Sequence, residues 1–242
     1  MHSADTSGTS DTPGTPDAPG TPGTSDTPRT PGASDTAIDA DDVRAVVALA
    51  IKTLKDADPQ AWDAKAGRLE WTCWETLEHL ADDLFTYAAR FGLSEPPTSA
   101  VLPFRTDSDR NGGPANVFFV ERASGPQGLL TVLEACGGLL ASVLRTAPST
   151  TVAFHVFGPS GAEGFAAMGV VETLVHTHDI TQGLSLEWSA PRELCARVLK
   201  RLFPHVAVGS DAWDTLLWAT GRIDLPDRPR LTEWRWYNAQ GA

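Results

Sequence analysis

The segment Ala166–Asp179 constrains the fold of this chain more than any other. Its residues recur at helical spacing, and apolar side chains occur on every side of the predicted helix from Ala166 to Val175. A helix that is apolar all round is buried on every side, because an apolar face left in water costs free energy. The rest of the domain must therefore pack around this helix, which we predict to run from about Gly164 to Gly183.

Two polar side chains interrupt the apolar helix. Glu172 and His176 are four residues apart, so both project from the same face. A lone buried carboxylate is costly, which means that the pair needs a shared partner. A divalent metal is one such partner, since Glu oxygen and neutral His nitrogen are ordinary ligands of zinc-like ions. A Glu–His hydrogen bond, or a helix rotated so that Glu172 meets water, would satisfy the same residues without a metal.

Two further polar residues follow at the end of this helix. His178 lies two positions after His176 and therefore faces nearly the opposite side. Asp179 lies close to one turn after His176 and could hold the imidazole from behind by a hydrogen bond. The alternative for Asp179 is a solvated charge near the helix end.

Three other long helical patterns accompany this helix. They run from about Asp39 to Ala57, from Thr72 to Gly92 and from Pro126 to Arg145. The second opens with Thr72 and Glu75, whose spacing matches a capping box. In the third, Gly137-Gly138 weakens the helix propensity and indicates the close approach of a neighbour.

The remaining residues predict smaller elements around this core. One short helix lies between Pro191 and Pro204, and another is capped by Ser210 or Asp211 and ends at Gly221. Apolar and alternating runs predict short strands at residues 117–120, 152–157 and 231–237. The fold class is therefore mainly α, with a four-helix bundle over about 39–185, a C-terminal extension over about 186–242 and a few short strands.

The first 36 residues differ from the rest of the chain. Residues 3–36 are almost only Ser, Thr, Asp, Pro, Gly and Ala, and they contain no large apolar side chain. Such a segment cannot bury enough surface to offset its conformational entropy, so we predict a disordered tail over residues 1–36. Residues 37–242 then form one helical domain.

Charge and cysteine usage limit the partners and the compartment. The formal net charge is -12, which disfavours nucleic acid and anionic membranes as partners. We expect no apolar run of membrane-spanning length, and therefore a soluble protein. Cys73, Cys136 and Cys195 are scattered within helical patterns, which predicts reduced core residues in a cytoplasmic protein. No uninterrupted heptad seam is visible, so the oligomeric state stays open.

His79 on the second helix is the candidate third ligand. It lies on a polar line that includes Asp82 and Asp83, and this line could equally be a solvated face. Three ligands from two helices would leave one coordination position open, which is typical of a catalytic metal.

These motifs resemble those of a known superfamily. The pairing of WxxxxHLAD, residues 74–82, with VExxxHxxD, residues 171–179, resembles the DinB-like superfamily. It is most similar to the mycothiol-dependent maleylpyruvate isomerase N-terminal domain family of actinobacteria. The resemblance covers about residues 40–185, and it extends to LLWATGR at 216–222 and WRW at 234–236. It implies an up-down-down-up four-helix bundle in which His79, Glu172 and His176 hold a divalent ion, usually zinc.

The resemblance also implies an activity. Its better-known members use a low-molecular-weight thiol such as mycothiol, so we expect a metal-dependent transferase or isomerase acting on a small electrophilic substrate. A non-catalytic protein that binds a ligand or a partner is one alternative. A metal-dependent hydrolase that uses bound water, with His155 or Asp82 as the base, is another. On the predicted strand at 152–157, His155 could meet the substrate or act as a general base, or it could be a satisfied structural residue.

Overall fold

The computed structural model describes residues 37–238, so the predicted disordered tail at 1–36 lies outside the described residues. The described part is mainly helical, as predicted. Two short 3-10 turns, at Ala61–Asp63 and Arg122–Ser124, accompany the six α-helices. The six helices are α1 Ala40–Leu54, α2 Cys73–Phe91, α3 Gly125–Thr146, α4 Ala162–Leu184, α5 Arg192–Leu202 and α6 Ala212–Ala219.

Side-chain caps start three of these helices where the sequence predicts a start. The Asp39 carboxylate accepts from the amides of the first turn of α1, and the Asp211 carboxylate does the same for α6. At α2, the Thr72 hydroxyl accepts from the Glu75 amide while the Glu75 carboxylate accepts from the Thr72 amide, which confirms the capping box. Each cap satisfies amides that the helix leaves unpaired, so the helix boundaries follow from local sequence.

Two helix pairs in the bundle run antiparallel. Arg145 at the end of α3 forms an ion pair with Asp41 at the start of α1. At the other end of this pair, Gln127 of α3 donates to the carbonyl of Lys55, just after α1. The α2–α4 pair is antiparallel too, because the end of α2 packs against the start of α4, with the rings of Phe91 and Phe165 4.9 Å apart.

The other two neighbouring pairs run parallel. The first residues of α1 and of α4 line the same small cavity. A Cβ atom on Gly92, just after α2, would lie 4.0 Å from Val143 in the last turns of α3. Taken along the chain, the four helices therefore run up, down, down and up.

One close approach in the core occurs at Gly137, as predicted, and another occurs at Gly169, which was not predicted, whereas a Cβ atom on Gly138 would meet nothing within 4 Å. Every residue of α4 from Gly164 to Thr177 is buried. A Cβ atom on Gly169 would lie 2.8 Å from Leu140, 3.2 Å from Leu84 and 3.9 Å from Val43, so α4 touches all three neighbouring helices at this point. Gly137 of α3 is equally tight, since a Cβ atom there would lie 2.9 Å from Val47 of α1.

The three predicted strands are wrong. Within residues 37–238 the structure contains only isolated β-bridges, such as Ala153 with Ser160. No strand forms at 117–120, where the amides of Val117, Phe118 and Val120 donate to carboxylates of α2 instead of to a neighbouring strand. Alternating apolar residues indicate an extended backbone, and an extended backbone becomes a strand only where another one lies alongside it.

One segment departs from the expectation about membrane-spanning length. Arg122–Thr146 is long and apolar enough to cross a membrane by length and composition, so that expectation was wrong here. In the structure α3 packs one face against the bundle, where it buries Leu129, Leu133 and Leu140, and leaves its other face exposed. Core helices of soluble proteins pass the same test, and the fold is compatible with a soluble protein.

Candidate metal centre

Two matching pairs of side chains face each other between α2 and α4. His79 and Asp83 are one helical turn apart on α2, and Glu172 and His176 are one turn apart on α4. Because the two helices are antiparallel and the pairs have opposite order, the two histidines meet, with ring centroids 5.9 Å apart. Two imidazoles and two carboxylates therefore gather at one place in the bundle.

The spacing of these groups fits a metal ion. Ligands placed about 2.0–2.2 Å from zinc at the corners of a tetrahedron lie roughly 3.3–3.6 Å from one another. The distance from His79 Nε2 to Asp83 Oδ2 is 3.6 Å, and that from His176 Nε2 to Glu172 Oε2 is 3.3 Å. The ligand atoms of His79, Asp83 and His176 all lie within 4.8 Å of one another, so this group could hold a metal ion.

The structure adds one donor to the three that the sequence analysis selected. His79 and His176 come together, and Glu172 lies beside His176. The tightest group of three, however, contains Asp83 in place of Glu172. A signal for Asp83 was present, because it stands four residues after His79, just as His176 stands four after Glu172.

His176 is held from behind by a buried ion pair. Its Nδ1 lies 3.5 Å from Asp179 Oδ2, on the side away from Glu172, where Asp179 was expected. This contact is too poorly aligned for a hydrogen bond. Asp179 in turn accepts a hydrogen bond of 2.8 Å from Arg222, just after α6. The C-terminal extension thus reaches the site, and nothing in the local sequence predicts the contribution of Arg222.

His79 and Glu172 have outer partners of their own. His79 Nδ1 lies 2.8 Å from the side-chain oxygen of Asn116, a buried residue of the loop between α2 and α3. The Tyr87 hydroxyl donates to Glu172 Oε1 over 3.4 Å. The ring of Trp71 packs edge-on against His79, with centroids 4.8 Å apart. Asn116, Tyr87 and Trp71 were all missed at the sequence level.

Burial and neighbouring charges shift the pKa values of His176, His79 and Asp83. Burial alone would lower the pKa of His176, but the carboxylates of Asp179 and Glu172 outweigh it and raise the pKa to about 9. Burial lowers the pKa of His79, and the charge of His176 lowers it further. Burial and then the charge of Glu172 raise the pKa of Asp83 well above its usual range. Neighbouring groups whose pKa values are driven apart are typical of functional sites.

The site is open on one side. The side chains of His79 and Asp83 are 21% and 20% exposed, whereas those of His176 and Glu172 are 8% and 11% exposed. The α2 half of the site therefore borders solvent, and the α4 half is enclosed by the core. Held by His79, Asp83 and His176, a bound ion would keep its fourth coordination position for an external ligand on the partly exposed α2 side.

The two residues considered as bases have other contacts. Asp82 is buried, and its Oδ1 accepts from the amides of Val117 and Phe118 at 2.8 and 3.2 Å. It therefore fastens the 116–120 loop to α2. His155 Nδ1 accepts from the amide of Phe157 at 3.1 Å, and burial lowers its pKa to about 4. Neither contact supports a role as general base at neutral pH.

The polar line of α2 is not a solvated face. Thr76, Asp82 and Thr86 on this line are buried, and the loop from Asn116 to Val120 covers Asp82. His178 lies outside the group of possible ligands, as predicted, and its ring packs edge-on against Trp213.

Comparisons with known proteins do not extend this description. Neither a scan against protein-family models nor searches of curated proteins and of solved structures found a match for this chain. The interpretation of the site therefore rests on its geometry and on the chemistry of its donors.

Proposed function

We propose that this chain binds a divalent metal ion between α2 and α4 and uses it for chemistry on a small molecule. The observation that carries the proposal is the pair of facing His–carboxylate sets, with separations of 3.6 and 3.3 Å. Both separations match the edge of a zinc tetrahedron, roughly 3.3–3.6 Å. Placing two carboxylates and two imidazoles together has little purpose in a core that could have been apolar.

The donor set favours a small divalent ion. Imidazole nitrogen and carboxylate oxygen suit zinc, and also cobalt, iron and manganese. Two carboxylates would balance the charge of such an ion, so its binding would offset the cost of burying Asp83 and Glu172 together. We take zinc as the first ion to test.

The reaction we propose is a thiol-dependent transfer or isomerisation on a small electrophilic substrate. The DinB-like resemblance of the His79 and Glu172–His176 motifs suggests this class. The chain's own cysteines, Cys73, Cys136 and Cys195, are buried and free, and burial raises their pKa values to about 11, 11 and 12. None of them can supply a thiolate at neutral pH, so a thiol nucleophile would come from a co-substrate such as mycothiol.

Each residue of the site has a definite task in this proposal. His79 and His176 would hold the ion through Nε2 and Asp83 would hold it through a carboxylate oxygen. Glu172 lies beside His176. The buried Asp179–Arg222 pair supports His176 from behind, and Tyr87 orients Glu172. A bound divalent ion would supply Lewis acidity, which lowers the pKa of a coordinated thiol or water. The open α2 side admits the co-substrate, and the enclosed α4 side excludes bulk water.

The first experiment measures metal content and affinity. Protein purified without chelator is analysed for bound transition metals and then titrated with zinc against a chromophoric chelator. We expect close to one equivalent of metal in the wild type and its loss in His79→Ala and His176→Ala. His178→Ala is the matched control, because His178 lies outside the site, and it should bind normally. Less than about a tenth of an equivalent of bound metal, with no uptake of added zinc, would contradict the proposal.

The second experiment tests the reaction. The zinc-loaded protein is incubated with mycothiol and a panel of small electrophiles, and loss of free thiol is followed. Turnover that disappears in His79→Ala and persists in His178→Ala supports the proposed class. Turnover without any thiol would point to a hydrolase instead. Stoichiometric metal binding with no turnover on the whole panel would leave a non-catalytic binding protein.

A further inference from the structure

Among residues 37–238, Asn116 is the one group in hydrogen-bond contact with the His79 ring. Its side-chain oxygen lies 2.8 Å from His79 Nδ1. A neutral imidazole carries one N–H, and an amide oxygen can only accept, so this contact requires the proton on Nδ1. The lone pair is then on Nε2, the atom that lies 3.6 Å from Asp83 on the side of the proposed metal.

The loop that carries Asn116 is firmly held. The backbone N–H and C=O of Asn116 both pair with Asp107, at 2.9 and 3.0 Å. Directly after it, the amides of Val117 and Phe118 donate to Asp82 of α2. The Asn116 side chain is therefore fixed on both flanks, and Asp82 stands one turn of α2 from His79. An anchored acceptor of this kind determines which imidazole nitrogen carries the proton.

We propose that Asn116 is a positioning residue, which holds His79 in the tautomer that leaves Nε2 free to bind the metal. The effect on metal affinity rests on the proposed function. The tautomer itself is a property of the metal-free protein and can be measured without it. Partners of this kind on ligand histidines change metal affinity by about 10- to 100-fold when they are removed.

The test uses three variants of the full chain. Asn116→Leu has a similar size and cannot accept a hydrogen bond, whereas Asn116→Asp keeps the acceptor and adds charge. Asn111→Leu, an exposed asparagine of the same connection, is the control. The tautomer of His79 is read from long-range ¹H–¹⁵N NMR spectra of the metal-free proteins. Zinc affinity is measured by chelator competition, and the cobalt-loaded proteins are compared by their visible absorption.

The expected results separate positioning from a merely structural role. His79 should carry its proton on Nδ1 in the wild type, in Asn111→Leu and in Asn116→Asp. Asn116→Leu should lose this preference, bind zinc about 10- to 100-fold more weakly and show an altered cobalt spectrum. Asn116→Asp should retain at least wild-type affinity, which a purely structural effect of replacing Asn116 would not produce.

Two results would overturn the proposal. One is a wild-type spectrum with the His79 proton on Nε2, which needs no variant to fold. The other is Asn116→Leu with wild-type zinc affinity and wild-type cobalt absorption. If the Nδ1 proton is present and depends on Asn116, but the wild type takes up no metal, then the proposed function fails while the role of Asn116 in setting the tautomer stands.

Discussion

The two antiparallel helix pairs of this bundle, α1–α3 and α2–α4, share the same geometry but enclose different kinds of side chain. Between α1 and α3, the contact is apolar and close, with Gly137 against Val47, and charged groups pair only at the solvent edge. Between α2 and α4, the contact encloses two imidazoles and two carboxylates. The first interface can contribute stability by packing alone, whereas the second carries a desolvation cost, which the proposed metal would offset. We therefore expect the α1–α3 pair to serve stability and propose that the α2–α4 pair serves chemistry.

Metal addition should have the largest effect, and only at the α2–α4 pair. Zinc at a thousand times its dissociation constant should stabilise the wild type by about 4 kcal/mol, because it binds the folded state. The gain is measured as the rise in the free energy of unfolding by urea. His176→Ala should show none of this gain, and Gly137→Leu should keep it. A gain of equal size in His176→Ala would break the assignment of the metal to this pair.

Lowering the pH should lower the free energy of unfolding through protonation of His155. Burial lowers its folded pKa to about 4, below the unfolded value of about 6.5, so the unfolded chain binds the extra proton. The stability contribution of neutral His155 is complete above pH 6.5 and is lost as the pH falls through 4. Between pH 7 and pH 4, the wild type should lose about 3 kcal/mol more than His155→Gln.

Urea unfolding of both proteins at several pH values gives this difference directly. Carboxylates elsewhere titrate in the same range, but they are common to both proteins and cancel in the comparison. Identical pH profiles for the two proteins would show that His155 titrates in the folded state as it does in the unfolded chain.

Overpacking should damage the α1–α3 interface without touching the site. Gly137→Leu forces a side chain into space filled by Val47 and should cost about 1–3 kcal/mol of unfolding free energy. Gly138→Ala is the matched control, because a Cβ atom there meets nothing within 4 Å and Ala favours the helix. The zinc affinity of folded Gly137→Leu should equal that of the wild type, and a tenfold loss would mean that the two interfaces are coupled.

The surface charges at the α1–α3 edge should matter least. Arg145 and Asp41 form an exposed ion pair, and such pairs contribute about 0–1 kcal/mol. Arg145→Gln should therefore lower the free energy of unfolding by less than about 1 kcal/mol, with the loss reduced further at high salt. A larger or salt-independent loss would show that the α1–α3 pair depends on charge as well as packing.

Local sequence predicted more about the α4 half of the site than about the α2 half. On α4, apolar residues surround Glu172 and His176 completely, so their burial follows from the helix itself. On α2, the same one-turn spacing of His79 and Asp83 occurs on a polar line, and periodicity cannot tell a solvated line from one covered by a loop. The cover comes from the 116–120 loop, about 35 residues away along the chain.

The three strand predictions were wrong for the same reason. The runs at 117–120, 152–157 and 231–237 are apolar or alternate as strands do, but such patterns report only a local preference for an extended backbone. In the described part of the chain, their backbone pairing goes no further than isolated bridges such as Ala153 with Ser160, and side chains of α2 accept the amides of the first run. Pairing is a long-range property, which a local pattern does not contain.

The sequence by itself determined the helices of this protein, their caps and the shared face of Glu172 and His176. These features depend on residues within one or two turns of each other, where helix geometry alone sets the distances. Only the tertiary structure decided that Asp83 joins the site and that Asn116 and Arg222 support its histidines. The contacts of Asn116 with His79 and of Arg222 with Asp179 join residues 37 and 43 positions apart, and Asp83 and His176 lie on different helices, so all of them form only when packing of the bundle brings the segments together.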